Sequence, residues 1–246
     1  MANSLKSTFD SNTRLRARQR LRNGLILLVI GFSLVLSGCS QEPTNENADT
    51  QVQAPVPAYA GTIVAMGDSL TAGLGVSPED AYPAQLERRL QEAGHDYRVV
   101  NAGVSGETSS GAVSRIDWVI GSLSPDIVIL ETGANDGLRG LDPGLLEANL
   151  DQLVTTLKAH QIQVILAGML MLPNLGPDYT HAFARIYPSI AAKHDLIFIP
   201  FFLEGVAGKS SLNQPDHLHP TDRGYAVVVE TVLPYVMDAI RKSSAE

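Results

Sequence analysis

The chain has 246 residues, of which 44% are apolar and 18% are charged, with a net charge of −8. This length and composition suit one α/β domain with a hydrophobic core and appended segments. From Cys39 onward, 12 Lys and Arg stand against 25 Asp and Glu, a net charge of −13. Such a surface repels phosphate backbones, so we expect no nucleic-acid partner.

Residues 1–38 are typical of a lipoprotein signal peptide. A basic start, with one Lys and five Arg, precedes an apolar run over 24–36. These 13 residues rise about 20 Å as a helix, less than the roughly 30 Å hydrocarbon layer of a bilayer. The length therefore favours a cleaved signal over a transmembrane anchor. Leu36-Ser37-Gly38-Cys39 resembles the bacterial lipobox, in which the cysteine is lipidated after cleavage.

We therefore expect an exported lipoprotein that faces the periplasm and is held to a membrane through lipidated Cys39. A soluble periplasmic protein is the alternative. Cys39 is the only cysteine, so no intrachain disulfide can form. Residues 39–60 are polar and proline-containing, which predicts a flexible tether. One folded domain is expected over 61–243, and the sequence does not indicate its oligomeric state.

From residue 61 onward the predicted elements alternate between strand and helix. Strands are predicted at 62–66, 97–100, 127–130, 164–167 and 196–199. Helices are predicted at 83–92, 108–122, from 142 onward, 179–193 and 221–241. Pro188 is expected to bend or break the fourth helix, and Pro234 the fifth. This alternation predicts a parallel sheet with helices on both faces, and ligands that bind beyond the carboxyl ends of its strands.

The first strand is followed by Gly67-Asp68-Ser69-Leu70. A serine that starts the segment after a buried strand exposes its hydroxyl at the sheet edge, and its own N–H points the same way. Ser69 is therefore a candidate nucleophile, although a capping serine is common at such a position. The segment is neither the Gly-x-Ser-x-Gly elbow of α/β-hydrolases nor a phosphate-binding loop.

Two further strand ends offer hydrogen-bond donors for a developing oxyanion. Gly103 follows the second strand, where a glycine lets the backbone approach a substrate and aim its N–H. Asn135 follows the third strand and carries a side-chain amide that can donate. Asp136 is expected to brace this turn, and Ser105 is a weaker candidate nucleophile in the second loop.

Asp216 and His219 lie three residues apart in a proline-flanked loop before the last helix. A bend there can bring the carboxylate against one imidazole nitrogen while the other nitrogen faces the serine. His217 competes less well, because it adjoins Asp216 and would have difficulty facing back to it. No cluster of His, Cys, Asp and Glu has the spacing of a metal site, so we expect no metal.

These stretches together resemble the conserved blocks of the SGNH (GDSL) hydrolase family, whose four letters correspond in order to Ser69, Gly103, Asn135 and His219. The segments at 101–109 and 133–140 look like the branch of bacterial thioesterase I, lysophospholipase and arylesterase proteins. The resemblance implies a flavodoxin-like, three-layer α/β/α sandwich with a five-stranded parallel sheet of order 2-1-3-4-5. It also implies an enzyme without a cofactor.

By the same resemblance, Ser69 is the nucleophile, His219 the base and Asp216 the residue that orients it. Ser69, Gly103 and Asn135 form the oxyanion hole, and Asp68 and Asp136 have supporting roles. The expected activity is hydrolysis of acyl or aryl esters and thioesters, with small-molecule or lipid substrates such as lysophospholipids. The alternatives are a carbohydrate acetylesterase and a membrane-tethered, lipid-binding or scaffold protein without activity.

Overall fold

The computed structural model describes residues 59–171 and 173–243. Five parallel strands form one sheet in the order β2-β1-β3-β4-β5. The strands are β1 (Gly61–Gly67), β2 (Tyr97–Gly103), β3 (Ile127–Glu131), β4 (Gln163–Ala167) and β5 (Ile197–Ile199). The predicted flavodoxin-like fold and strand order are therefore confirmed. The predicted signal peptide, Cys39 and most of the tether lie outside the described residues.

The sheet register brings three strand ends together. Gly67, the last residue of β1, pairs with Gly103 of β2 and with Glu131 of β3. Every side chain of β3 is buried, as the continuous apolar pattern of a strand covered on both faces requires. The segments that follow β1, β2 and β3 therefore start side by side at one edge of the sheet.

Seven α-helices and one 3₁₀ turn connect and cover these strands within the described ranges. The helices are α1 (Ser69–Ala72), α2 (Tyr82–Glu92), α3 (Ser109–Leu123), α4 (Ala134–Leu138), α5 (Pro143–Ala159), α6 (Pro177–His194) and α7 (Asp222–Ser243), and the turn spans Pro173–Leu175. The short helices α1 and α4 were not predicted. Both begin at the carboxyl edge of the sheet, and they carry Ser69 and Asn135.

The longer helices form two layers, with α2 against α7 in one and α5 between α3 and α6 in the other. In α5, the predicted apolar face is fully buried; it consists of Leu146, Leu150, Leu153, Val154 and Leu157. Burying each of these side chains contributes about 1.5–3 kcal/mol to folding. Within the described residues, none of the helices is long and apolar enough to cross a membrane.

Of the two effects expected of Pro188 and Pro234, a bend or a break, the break does not occur. Helix α6 runs through Pro188 and helix α7 through Pro234 without interruption. Both prolines occupy exposed positions, so water can reach the carbonyl that loses its N–H partner in each helix. The apolar side chains on the opposite faces are buried against the sheet and hold each helix together.

Candidate active site

The candidate nucleophile Ser69 lies on a tight turn between β1 and α1. Asp68 caps this helix, because its Oδ1 accepts the Leu70 N–H at 2.9 Å. Ser69 is thereby the first residue of α1, and it is largely buried. Its N–H has no hydrogen-bond partner among the described residues. The turn thus presents a hydroxyl and a free N–H at the same place.

The loop before α7 holds Asp216 and His219 in a fixed relation. Asp216 Oδ1 accepts the backbone N–H groups of Leu218 at 2.9 Å and His219 at 3.0 Å. Asp216 Oδ2 lies 2.7 Å from His219 Nδ1. These bonds, with that to the imidazole first, lower the pKa of Asp216 to about 2. Asp216 is therefore an ionised acceptor that orients the ring and fixes which nitrogen carries the proton.

The second imidazole nitrogen faces the serine. His219 Nε2 and Ser69 Oγ lie 2.9 Å apart, although 150 residues separate them in the chain. The structure thus brings all three predicted triad residues into one hydrogen-bonded line. In the part of the chain that the structure describes, neither Ser105 nor His217 hydrogen-bonds to a triad side chain.

Gln214 joins the two segments that carry the triad, and sequence analysis missed it. Its Nε2 donates to the Leu74 carbonyl, just after α1, at 2.7 Å and to the Pro220 carbonyl at 2.9 Å. Its backbone N–H donates to the His219 carbonyl at 2.7 Å. An amide side chain in a polar loop gives no signal of such contacts, because they depend on the tertiary arrangement.

Asn135 lies in the first turn of α4, facing the nucleophile turn. Its Nδ2 donates to the Glu107 carbonyl at 2.9 Å and to Asp68 Oδ2 at 3.2 Å. Both amide hydrogens are therefore engaged. The longer bond, to Asp68, is the one that an oxyanion beside Ser69 would have to replace.

Gly103 packs closely against the nucleophile helix. A Cβ at this position would lie 2.2 Å from the Ala72 nitrogen, so only glycine fits. Its N–H donates to Asn101 Oδ1 at 3.0 Å and in this conformation is not free for an oxyanion. Gly106 was not selected from the sequence. It is exposed with a φ of 80°, and its N–H has no partner among the described residues.

Asp136 and Asp68 connect the neighbouring loops. The Asp136 carboxylate accepts the Ser109 N–H at 2.8 Å and the Ser109 hydroxyl at 2.5 Å, which braces α4 against the start of α3. Asp68 is nearly fully buried beneath Ser69. Burial raises its pKa to about 6, against the opposing effect of the Leu70 N–H.

A partly buried ion pair supports the loop that Asn135 contacts. The Arg115 guanidinium binds both carboxylate oxygens of Glu107 at 2.7 Å and also donates to the Gly67 carbonyl at 3.3 Å. The Glu107 carbonyl is the acceptor for Asn135. Sequence analysis missed this pair, since one residue lies in a loop and the other on a helix, and only the fold shows that they lie together.

Comparison with known proteins agrees with this geometry. Residues 65–227 match the model of the GDSL-like lipase/acylhydrolase family. The esterase TesA of Pseudomonas aeruginosa is 38% identical over 202 residues, which cover 82% of this chain and 96% of that protein. The thioesterase 1/protease 1/lysophospholipase L1 of Escherichia coli is 37% identical over 163 residues, which cover 66% and 77% respectively.

A solved structure gives the same result. The crystal structure of AlinE4, described as an SGNH-hydrolase family esterase, is 41% identical with a TM-score of 0.63, covering 75% of this chain and 98% of that one. The site and fold define the chain as a hydrolase with a serine nucleophile. It belongs to the GDSL-like lipase/acylhydrolase family. The predicted family and the predicted class of enzyme, a carboxylic ester hydrolase, are confirmed.

Proposed function

We propose that this chain hydrolyses acyl and aryl esters, and thioesters, through an acyl group carried on Ser69. One observation carries the proposal: Ser69 Oγ, His219 and Asp216 form a continuous line with separations of 2.9 and 2.7 Å. In that line the hydroxyl donates to a neutral imidazole, and the imidazole donates to a carboxylate. This arrangement activates a serine toward a carbonyl carbon.

The reaction follows from these contacts. Ser69 Oγ attacks the substrate carbonyl while His219 Nε2 takes the hydroxyl proton. His219 then gives that proton to the leaving alkoxide or thiolate, and the acyl group stays on Ser69. A water molecule, deprotonated by His219, attacks the acyl carbon, and the acid leaves as the Ser69 hydroxyl is restored. Asp216 stabilises the imidazolium that forms in each half of the reaction.

The oxyanion needs donors that converge beside Ser69. The Ser69 N–H and the Asn135 amide are the first two, and the predicted third is the Gly103 N–H. Gly103 must release Asn101 Oδ1 before it can donate. Gly106 is a second candidate for the third donor, because its exposed N–H has no competing partner among the described residues.

Apolar side chains near the triad favour substrates with an acyl chain. Leu74 follows the nucleophile helix, Leu138 lies one turn after Asn135, and Leu218 lies between the other two triad residues. All three are between 41% and 51% exposed. Exposed leucines on several loops of one site favour an apolar ligand over a glycan. We infer that lysophospholipids and other long-chain esters are within the substrate range.

The location of the enzyme follows from the sequence outside the described residues. The basic and apolar stretches within residues 1–38 support export, and Cys39 supports lipid attachment. The chain from Cys39 onward carries a net charge of −13, which gives no attraction to anionic lipid, so the acyl chains would supply the anchoring. We propose a membrane-anchored lipoprotein facing the periplasm.

A substrate panel tests the proposed activity. Initial rates would be measured on p-nitrophenyl esters from acetate to palmitate, on acyl-CoA, on lysophospholipid and on an acetylated glycan, with Ser69→Ala as the control. We expect kcat/KM to be higher for medium and long acyl chains than for acetate, with no activity in the control. Activity confined to acetylated glycans would instead support a carbohydrate acetylesterase. Absence of all hydrolysis would support a binding or scaffold role.

A further inference from the structure

A buried carboxyl group lies beneath the nucleophile turn and takes no part in the triad. Glu131 ends β3, pairs in register with Gly67 and has no exposed surface. Its Oε2 accepts the Thr71 hydroxyl at 2.8 Å and the Asp68 N–H at 3.4 Å. A Cβ on Gly67 would lie 2.5 Å from this oxygen, so the glycine leaves the room that the carboxyl occupies. Glu131 thus bonds the residue before Ser69 and the residue two positions after it.

The surroundings of the second carboxyl oxygen indicate whether Glu131 is charged. Glu131 Oε1 is buried and has no hydrogen-bond partner among the described residues. The titratable groups that face Glu131 are Asp68 from the turn, Tyr82 from α2, Tyr187 from α6 and Tyr225 from α7. None of them is a cation. Burial, and then the negative charge of Asp68, raise the pKa of Glu131 well above its usual value.

A neutral carboxylic acid fits these surroundings. Its carbonyl oxygen, Oε2, accepts the two bonds from the turn, and Oε1 carries the proton. Tyr82 and Tyr225 interact with Glu131, and their hydroxyl oxygens, like Oε1, are buried without a hydrogen-bond partner among the described residues, so neither hydroxyl donates to a charge on Oε1. An ionised Glu131 would place a second negative charge beside the Asp68 carboxylate with no compensating cation.

We propose that Glu131 is a positioning residue for Ser69, which holds the nucleophile turn from beneath through Oε2. This inference rests on the proposed function, because it concerns the same site. Glu131 fixes the Asp68 backbone, and the Asp68 carboxylate in turn accepts the Leu70 N–H and the Asn135 amide. The Glu131 carboxyl group therefore helps to set the direction of the Ser69 hydroxyl and the position of the Asn135 amide. It does not touch the substrate.

Two variants separate the acceptor role from simple filling of space. Glu131→Gln keeps an uncharged acceptor of the same size, so we expect kcat within about threefold of wild type. Glu131→Ala removes the acceptor for two donors, so we expect kcat to fall about 10–10²-fold with KM unchanged within twofold. Thr71→Val removes one donor with almost no change of shape, and we expect a fall in kcat of about 3–10-fold. This third variant serves if Glu131→Ala does not fold.

The charge state has its own measurement. An infrared difference spectrum between wild type and Glu131→Gln near pH 7 should show loss of a protonated carboxylic acid carbonyl band. Loss of carboxylate bands instead would overturn the neutral form. A kcat in Glu131→Gln as low as in Glu131→Ala would overturn the positioning role, as would wild-type kcat in Thr71→Val. If the wild type itself neither hydrolyses esters nor reacts with a fluorophosphonate at Ser69, the proposed function fails, which is a different result.

Discussion

Replacing Asn135 with alanine tests whether its amide stabilises the oxyanion. Loss of one such donor costs about 2.7–4 kcal/mol of transition-state stabilisation in enzymes with this chemistry. In the free enzyme, however, the Asn135 amide already donates to Asp68 Oδ2 at 3.2 Å. In the wild type, giving up that bond costs about 1 kcal/mol of the free energy that the new bond to the oxyanion supplies. The net loss is about 2–3 kcal/mol, which corresponds to a fall in kcat/KM of about 30–150-fold.

The assay is kcat/KM on a p-nitrophenyl ester for wild type, Asn135→Ala and Asn135→Asp, with thermal denaturation as the check on folding. The aspartate variant is the matched control for shape, because it has the same size without amide donors. We expect Asn135→Asp to lose at least as much activity as Asn135→Ala, because its carboxylate also repels the oxyanion and the Asp68 carboxylate. A rate in Asn135→Ala within threefold of wild type, with the fold intact, would refute the assignment of this donor.

Three other changes have defined outcomes. Asp216→Asn keeps an oxygen for the two backbone N–H groups but presents no carboxylate to His219. Because water can reach this half-exposed side chain, we expect kcat to fall about 10²-fold. A change below threefold would contradict the orienting role. Gln214→Ala removes one side-chain bond to the nucleophile segment, at Leu74, and one within its own loop, at Pro220, so we expect about 10-fold lower kcat and faster amide exchange at 214–219. Unchanged values of both would argue against this role. Burial raises the pKa of Asp68 to about 6. Between about pH 4 and 6, the folded chain therefore keeps the Asp68 proton while the unfolded chain loses it. The free energy of unfolding should fall by on the order of 2–3 kcal/mol across this range. Denaturant titrations should show a smaller fall in Asp68→Asn, in which the buried Glu131 still contributes, and an identical pH dependence in both proteins would refute the Asp68 contribution.

The strands and long helices could be predicted because their residues carry the pattern of burial. The predicted strands at 127–130, 164–167 and 196–199 are runs of apolar residues, and α5 repeats leucine and valine at helical spacing. Helices α1 and α4 have only four and five residues, too few to show any period. Asp68 caps the first through the Leu70 N–H two residues on, and Asp136, held by Ser109, braces the second through a contact between distant segments.

The site was predicted unevenly for the same reason. Ser69, Asp216 and His219 belong to short motifs, and the fold brings their side chains together. The Gly103 N–H was assigned from a motif, but its bond to Asn101 depends on a side-chain conformation that no motif encodes. In the sequence, Glu131 is only a polar residue that follows a predicted strand. Its burial becomes evident only when β1, α2 and α7 are packed around it.

Covalent trapping of the acyl group is the most direct test of the account. The enzyme would be mixed with a p-nitrophenyl ester in the millisecond range, quenched in acid and analysed by intact-protein and peptide mass spectrometry. We predict one acyl group per chain, on the peptide that contains Ser69, formed with a burst of p-nitrophenol and absent from Ser69→Ala. Hydrolysis that persists in Ser69→Ala, or an acyl group on any other residue, would contradict it.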